Sequence, residues 1–236
     1  LGQVSLSDIE LYYSGNIDTE SNRIVLDSEE HKHCVRVMRN KIGDKIAITD
    51  GKGEIYMSKI IEINKDNLIC ESYEIIEYKN ENSNIYFVLS RMKKSERFEF
   101  AIEKSIELGI TNFIIYQADK SIAKGEKLKR WNKIAFSAMK QSLQAFLPNI
   151  EFIENLSLLN IENNDRILFF HQHGESISNL SLNEDNKSIF AIFGPEGGFS
   201  ERELNLFPKA ELVKLTDNRL RSETAIVAAA VQFGIK

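Results

Sequence analysis

The apolar run Ile189-Phe190-Ala191-Ile192-Phe193 breaks into Gly194-Pro195-Glu196-Gly197-Gly198 and continues as Phe199-Ser200-Glu201-Arg202-Glu203. Three glycines within five residues let a backbone turn sharply and approach a ligand with no side chain in the way. An α/β protein builds a ligand loop in this manner, where a strand ends in a Gly/Pro turn and feeds a helix. Ser200 and Glu203 have the Ser-x-x-Glu spacing of a capping box, which defines where that helix starts. Alone, the motif fits a structural turn as well as a ligand loop, because short motifs recur by chance. A second polar segment, Asn218-Arg219-Leu220-Arg221-Ser222-Glu223-Thr224-Ala225, follows the next apolar run, Glu211 to Leu215. If both runs are strands of one sheet, their loops converge. One then offers close backbone approach and the other a cation.

The segments that must position these loops alternate between strand and helix patterns. Ile85–Ser90, Asn112–Tyr116, Arg166–Phe170, Ile189–Phe193 and Glu211–Leu215 read as short buried strands. Ser95–Leu108, Lys127–Phe146 and Ser222–Phe233 read as helices, the first ended by Gly109. Such alternation predicts a parallel sheet with helices on both faces. The small residues Ala225, Ala228, Ala229, Ala230 and Val231 suit the last helix to close packing, within the subunit or against another.

The first part of the chain has a different pattern. Arg23–Leu26, Lys45–Thr49, Glu54–Ile60 and Leu68–Cys70 are short apolar or alternating runs, and Asp50-Gly51-Lys52-Gly53 is a hairpin turn. One helix, Ser28–Met38, fits between the first two runs, capped by Asp27 or Ser28. The expected organisation is a small barrel-like module over 1–76, a polar linker over 77–84 and an α/β domain over 85–236.

Composition narrows the class. Of 236 residues, 42% are hydrophobic and 28% charged, as in an ordinary globular protein. No apolar run reaches the roughly 18 residues a membrane helix needs. Residues 1–5 lack the basic and apolar stretches of a signal peptide. Two cysteines, Cys34 and Cys70, make no metal or redox motif, so neither a disulfide framework nor zinc is expected and a cytoplasmic location fits. The net charge of −5 hides three basic clusters: Lys32/Arg36/Arg39/Lys41/Lys45, Arg91/Lys93/Lys94/Arg97 and Lys120/Lys124/Lys127/Lys129/Arg130. Each alone is an ordinary solvated face. Three together admit a surface for a polyanion.

The two carboxyl-terminal segments resemble the paired signatures of the RsmE family, the 16S ribosomal RNA uridine N3-methyltransferases of the SPOUT superfamily. Three further segments agree. They are His33-Cys34-Val35-Arg36-Val37-Met38-Arg39 with Ile42-Gly43-Asp44, Glu103-Lys104-Ser105-Ile106-Glu107-Leu108-Gly109-Ile110, and Arg130-Trp131 followed by Ala138, Gln141-Ser142 and Pro148. Departures are Thr216 where the family has glycine, Gln144 where it has arginine and Ser137 where it has glutamate. The resemblance implies a SPOUT-type α/β fold with a C-terminal trefoil knot, a PUA-like N-terminal β-barrel, S-adenosyl-L-methionine as cofactor and a homodimer acting on 16S rRNA of the 30S subunit.

It also assigns residues. Phe170, Ile192, Phe193, Gly194, Pro195, Gly197, Gly198, Leu215, Leu220, Thr224 and Ala225 are expected at the cofactor. Arg36, Arg39, Arg91, Lys93 and Lys94 are expected on RNA. The acceptor implied, N3 of uracil, becomes anionic as it is methylated, so Arg221 is the expected electrostatic stabiliser. Glu196 or Glu223 would take the proton or orient an arginine. Other readings left open are a different SPOUT reaction on RNA and a non-catalytic RNA-binding assembly factor.

Overall fold

The computed structural model describes residues 10–180 and 188–234, and its internal contacts divide the chain into two units. The first runs to Asn80 and takes in Met139–Leu147; the second comprises Glu81–Ala138 and the chain from Pro148 onward. The change of unit after Asn80 falls within the polar 77–84 stretch. Residues 139–147, by contrast, lie inside what the sequence reads as the α/β domain.

The first unit is one six-stranded sheet. Its strands are β1 (Leu11–Tyr13), β2 (Ile17–Asp18), β3 (Arg23–Asp27), β4 (Lys45–Thr49), β5 (Glu54–Ile63) and β6 (Asn67–Glu77), in the order β1-β4-β5-β6-β3-β2. β1 and β4 pair in parallel and the other neighbours antiparallel. The β4–β5 turn forms as expected, with Asp50 Oδ1 accepting the N–H groups of Lys52 at 2.7 Å and Glu54 at 3.1 Å. Ile46 and Ile48 of β4 join one core with Tyr12, Leu26, Tyr56 and Cys70. Ala47, one residue out of phase, joins Leu11, Ile55, Met57 and Ala145 on the other side. Thr49 Oγ1 and the Gly53 N–H both donate to the Ala145 carbonyl, each at 3.1 Å, which ties residues 139–147 to this sheet.

Two sequence expectations change here. Ser28–Met38 is not one α-helix: α1 covers Ser28–Lys32 and a π-helical turn covers His33–Val37. Ser28 has φ +51° and the Asp27 side chain makes no capping bond, so α1 starts without a side-chain cap. The long 127–146 helix is also shorter. With α2 at Ser95–Glu107, α3 covers Leu128–Gln141 and stops where Leu143 takes φ +58°. The chain then pairs through Phe146 with Lys52 before entering a strand absent from the sequence reading, Asn149–Ile153.

The second unit is the parallel α/β layer. In chain order its strands are β7 (Ile85–Ser90), β8 (Asn112–Tyr116), β9 (Asn149–Ile153), β10 (Arg166–Ser176), β11 (Ile189–Phe193) and β12 (Glu211–Lys214). The sheet order is β12-β10-β11-β7-β8-β9 and every pairing is parallel. Alternation along the strands splits the core. Phe87, Leu89, Phe113, Ile115, Leu168, Ala191 and Phe193 face one way, toward α2, α3 and α5 (Ser222–Gly234). Val88, Ile114, Phe169, Phe190 and Ile192 face the other, under α4 (Glu201–Leu204) and the short turn at Leu156–Leu158. Burial on both faces is why these strands read as continuous apolar runs. Among the described residues no helix is long and apolar enough to cross a membrane.

Ala229 and Ala230 of α5 are fully buried within this unit, whereas Val231 is exposed. The end of α5 lies hard against the end of α2. A Cβ built on Gly234 would sit 1.7 Å from the Leu108 carbonyl oxygen. Gly234→Ala is therefore expected to lower stability by about 1–3 kcal/mol, the usual cost of overpacking where backbone must move. Denaturant unfolding measures this, and an unchanged midpoint would show that α5 shifts without cost.

Candidate functional site

Phe170 pairs with both Phe193 and Val213, so the carboxyl ends of β10, β11 and β12 lie abreast. Glu175 pairs with Val213 as well, which leaves residues 171–174 outside the ladder as a bulge. Gly174 closes it: a Cβ there would lie 2.4 Å from the backbone of Leu212 and Val213. The bulge, the glycine loop and the 215–221 loop enclose a cavity of about 670 Å³. The Phe170 and Phe193 rings stack at its base, 4.4 Å apart and 11° from parallel. Gly198 has φ +69°, and a Cβ on it would meet nothing within 4 Å, so the space beside this backbone is open.

The glycine loop is held from below. Ser200 and Glu203 form the expected capping box, with Ser200 Oγ accepting the Glu203 N–H at 3.0 Å and Glu203 Oε2 accepting the Ser200 N–H at 2.8 Å. Glu203 is only 1% exposed, and its second oxygen accepts the Asp119 N–H at 3.1 Å. A buried carboxylate persists only when its oxygens are bonded in this way. Asp119 in turn accepts from Ser200 Oγ at 2.6 Å and forms a two-pronged pair with Arg202. Arg202, and then Ser200, hold the Asp119 carboxyl below the usual carboxylate range. Lys120 Nζ donates to the Phe199 carbonyl at 2.7 Å. The β8–α3 loop thus clamps the glycine loop.

Of the residues expected at a cofactor, Phe170, Phe193, Gly194, Pro195, Gly197, Gly198, Leu215, Leu220 and Ala225 line the cavity. Ile192 does not: strand alternation turns it to the opposite face of the sheet, fully buried beside Val88 and Phe169. Thr224 is exposed and outside the lining. Arg221, Glu196 and Glu223 all line the cavity. Glu223 pairs with Arg97 Nε at 3.3 Å, and Glu196 Oε1 accepts the Lys93 N–H at 3.1 Å. Arg221 is exposed and makes no ion pair among the described residues.

The residues expected on RNA divide. Arg36, Arg39, Lys93 and Lys94 are exposed, and Arg39 takes φ +60°. Arg91 is a correction: it is 5% exposed, donates from Nη1 to the carbonyls of Lys124 and Gly125, and stacks on Trp131. Its donors serve the fold. Sequence reasoning missed Arg97 and Lys120 as cavity residues; His171, in the bulge of β10, lines the cavity as well. Arg97 and Lys120 were visible only as members of charge clusters. Their place depends on β7 pairing with β11, which sets Leu89 beside Phe193. His171 is held below its ordinary value first by burial and then by His173, whose ring lies 5.4 Å away. Among the described residues no group of three or more His, Cys, Asp or Glu side chains could hold a metal ion.

Residues 79–233 match the RNA methyltransferase domain family, and residues 26–71 the RNA methyltransferase PUA domain family. The chain is 33% identical to ribosomal RNA small subunit methyltransferase E of Buchnera aphidicola, over 90% of this chain and 88% of that protein. It is 28% identical to the Bacillus subtilis protein of the same name, over 87% of each. Its fold is similar to that of the Neisseria gonorrhoeae ribosomal RNA small subunit methyltransferase E bound to S-adenosyl methionine. That match has a TM-score of 0.80 and 23% identity, covering 95% of this chain and 96% of that one.

The clamp carries a pH signature. Because the folded protein holds Asp119 below its ordinary value, its contribution to stability is present above the usual carboxylate range. It is lost as pH falls through the lowered value. Asp119→Asn should flatten the acid limb of a plot of unfolding midpoint against pH. An acid limb identical to that of the unaltered protein would show that the Arg202 pair contributes nothing in solution.

Proposed function

The chain belongs to the ribosomal RNA small subunit methyltransferase E family of RNA methyltransferases, and from that premise we propose a reaction for the cavity: methyl transfer from S-adenosyl-L-methionine to N3 of a uridine in 16S rRNA. The observation that carries this reading is the division of the cavity wall. One part is backbone and apolar ring; another is exposed Arg221 together with the Arg97–Glu223 ion pair.

The cofactor fits the residues present. A cavity of about 670 Å³ lies within the roughly 300–1,000 Å³ typical of small-molecule sites. Adenine is a neutral ring, so backbone hydrogen bonds from Gly194, Gly198, Leu215 and Leu220 suit it, with Phe170, Phe193 and Ala225 as apolar walls. Bound there, S-adenosylmethionine supplies an electrophilic methyl group.

The chain's own residues must then present the nucleophile. Uracil N3 holds its proton at neutral pH and lies on the pairing edge, so the base has to leave its partner before it can react. As the proton departs, negative charge spreads to O2 and O4. Arg221, with several fixed donors, stabilises that charge in a site where much of the water is displaced. Arg97 fixes the orientation of Glu223, which can position the base or Arg221. Glu196, exposed at the mouth and anchored through Lys93, takes the N3 proton.

The finer architecture follows the same reading. The amino-terminal sheet acts as a PUA-like barrel that docks RNA through Arg36 and Arg39, with Lys93 and Lys94 contributing from the second unit. Phosphate contacts of this type position a substrate without reading its sequence. The carboxyl-terminal segment forms the trefoil knot, and two chains assemble as a homodimer, for which exposed Val231 on α5 is available. The small ribosomal subunit as substrate places the enzyme in the cytoplasm.

Arg221→Ala should lower kcat by about 10²- to 10³-fold, the usual effect of removing one preorganised donor. Cofactor affinity, measured by calorimetry, should hold. Equal loss of both would move Arg221 from the reacting base to the cofactor. In cells lacking the protein, nucleoside mass spectrometry should show 3-methyluridine missing from 16S rRNA; its persistence would overturn the assignment.

A further inference from the structure

The loop between β8 and α3, residues 117–127, is built around a buried arginine. Arg91 Nη1 donates to the Lys124 carbonyl at 2.8 Å and also to that of Gly125, while its guanidinium lies 5.4 Å from the centre of the Trp131 ring. Ser121 Oγ donates back to the Arg91 carbonyl at 2.7 Å and to that of Ala123 at 3.1 Å. Gln117 Nε2 reaches the same Ala123 carbonyl at 2.8 Å. Arg91 Nε is left buried without a partner, so the fold accepts a desolvation cost to keep this loop in one shape.

At its near end the loop reaches the cavity, where Lys120 forms part of the wall. Two residues on stands Ile122, 72% exposed, the most exposed large apolar side chain among the described residues. Two residues span at most about 7 Å of chain, so Ile122 lies within that distance of Lys120 in the cavity wall, outside the lining itself. Single exposed apolar residues are common and normally need no explanation. Ile122 differs because both its neighbours are fixed, Ser121 through its hydroxyl and N–H and Ala123 through its carbonyl, which holds the chain at Ile122 in place. Exposed Lys124 and Lys127 follow it, against one carboxylate, Glu126.

An apolar tip between lysines on a rigid loop matches RNA better than protein. The lysines meet phosphates, and an aliphatic side chain can enter a base stack as a wedge. We propose that the 117–127 loop is the RNA-side wall of the pocket and that Ile122 fills the stacking position vacated when the target uridine is unpaired. The proposal rests on the uridine reading above, since N3 is accessible only after unpairing. Lys120 then couples the two halves of the site, touching the glycine loop on one side and leading to the wedge on the other.

The test compares Ile122→Ala and Ile122→Leu with the unaltered enzyme on two RNAs. In one, the target uridine is stacked within a folded 16S fragment; in the other, the same uridine lies in a short unstructured oligonucleotide. Ile122→Ala should lose on the order of tenfold in kcat/KM on the folded fragment and little on the oligonucleotide, as expected when a wedge offsets unstacking. Ile122→Leu should keep most of the activity on both. Equal losses on the two RNAs, or none on the folded fragment, would overturn the wedge. An unaltered enzyme that methylates neither uridine would instead overturn the uridine reading itself.

Discussion

Every strand pairing in the carboxyl-terminal sheet is parallel, and the rest of the site depends on that constraint. In a parallel sheet all the loops that follow strands leave from one edge, so residues far apart in sequence meet there without any special contact. The register does the detailed work. Leu89, Phe170 and Phe193 are level across β7, β10 and β11, and Phe170 is level with Val213 of β12. Four loops therefore open at one height. The cavity is the space that their small residues leave.

A loop of glycines has the opposite problem: it has little to hold it in place, since glycine loses more conformational freedom on ordering than any other residue. Glu203 answers this. One of its oxygens closes the capping box at Ser200, and the other receives the N–H of Asp119 in a different loop. Asp119 then engages Ser200 and Arg202, so each member of the group satisfies another. Phe199 seats its ring edge-on against Phe169, 4.9 Å away, and fixes the far end. The open face of the loop, at Gly198, is held by these bonds on its other side and by the Gly198 N–H donating to the Pro195 carbonyl at 2.8 Å.

Much of this was legible in the sequence, for identifiable reasons. Buried parallel strands are continuous apolar runs, so β7, β8 and β11 read correctly to the residue, and Ser200-x-x-Glu203 announced α4. The resemblance carried the rest of the ligand loop. What could not be read is tertiary. Ile192 was expected at the cofactor from the resemblance, together with Phe193, yet adjacent residues of a strand face opposite sides. The 127–146 helix looked continuous because residues 142–146 offer no Gly or Pro. Its end comes from Ala145 and Phe146 being taken up by the β4–β5 turn. Strand β9 (Asn149–Ile153) lies at the sheet edge with alternating exposure and is too short and mixed to stand out.

Charge is the clearest case of tertiary context deciding chemistry. Arg91, Arg97, Arg202 and Arg221 are the same residue type, and all four lie in basic or motif segments. The fold separates them by what it sets opposite each guanidinium. Arg202 meets the Asp119 carboxylate and becomes a fastener. Arg91 meets backbone carbonyls and an indole, and burial pulls it below its ordinary value. Arg97 meets Glu223 and becomes half of a fixed pair at the cavity. Arg221, like Arg219 on the same loop, is exposed at the cavity and has no carboxylate set opposite it among the described residues. A cation that must respond to charge appearing on a substrate has to be without a partner beforehand, because an arginine already paired gains little from a second anion. Carboxylates and carbonyls placed elsewhere therefore leave Arg219 and Arg221 as the unpaired arginines of the cavity wall, and the proposed reaction draws on the second.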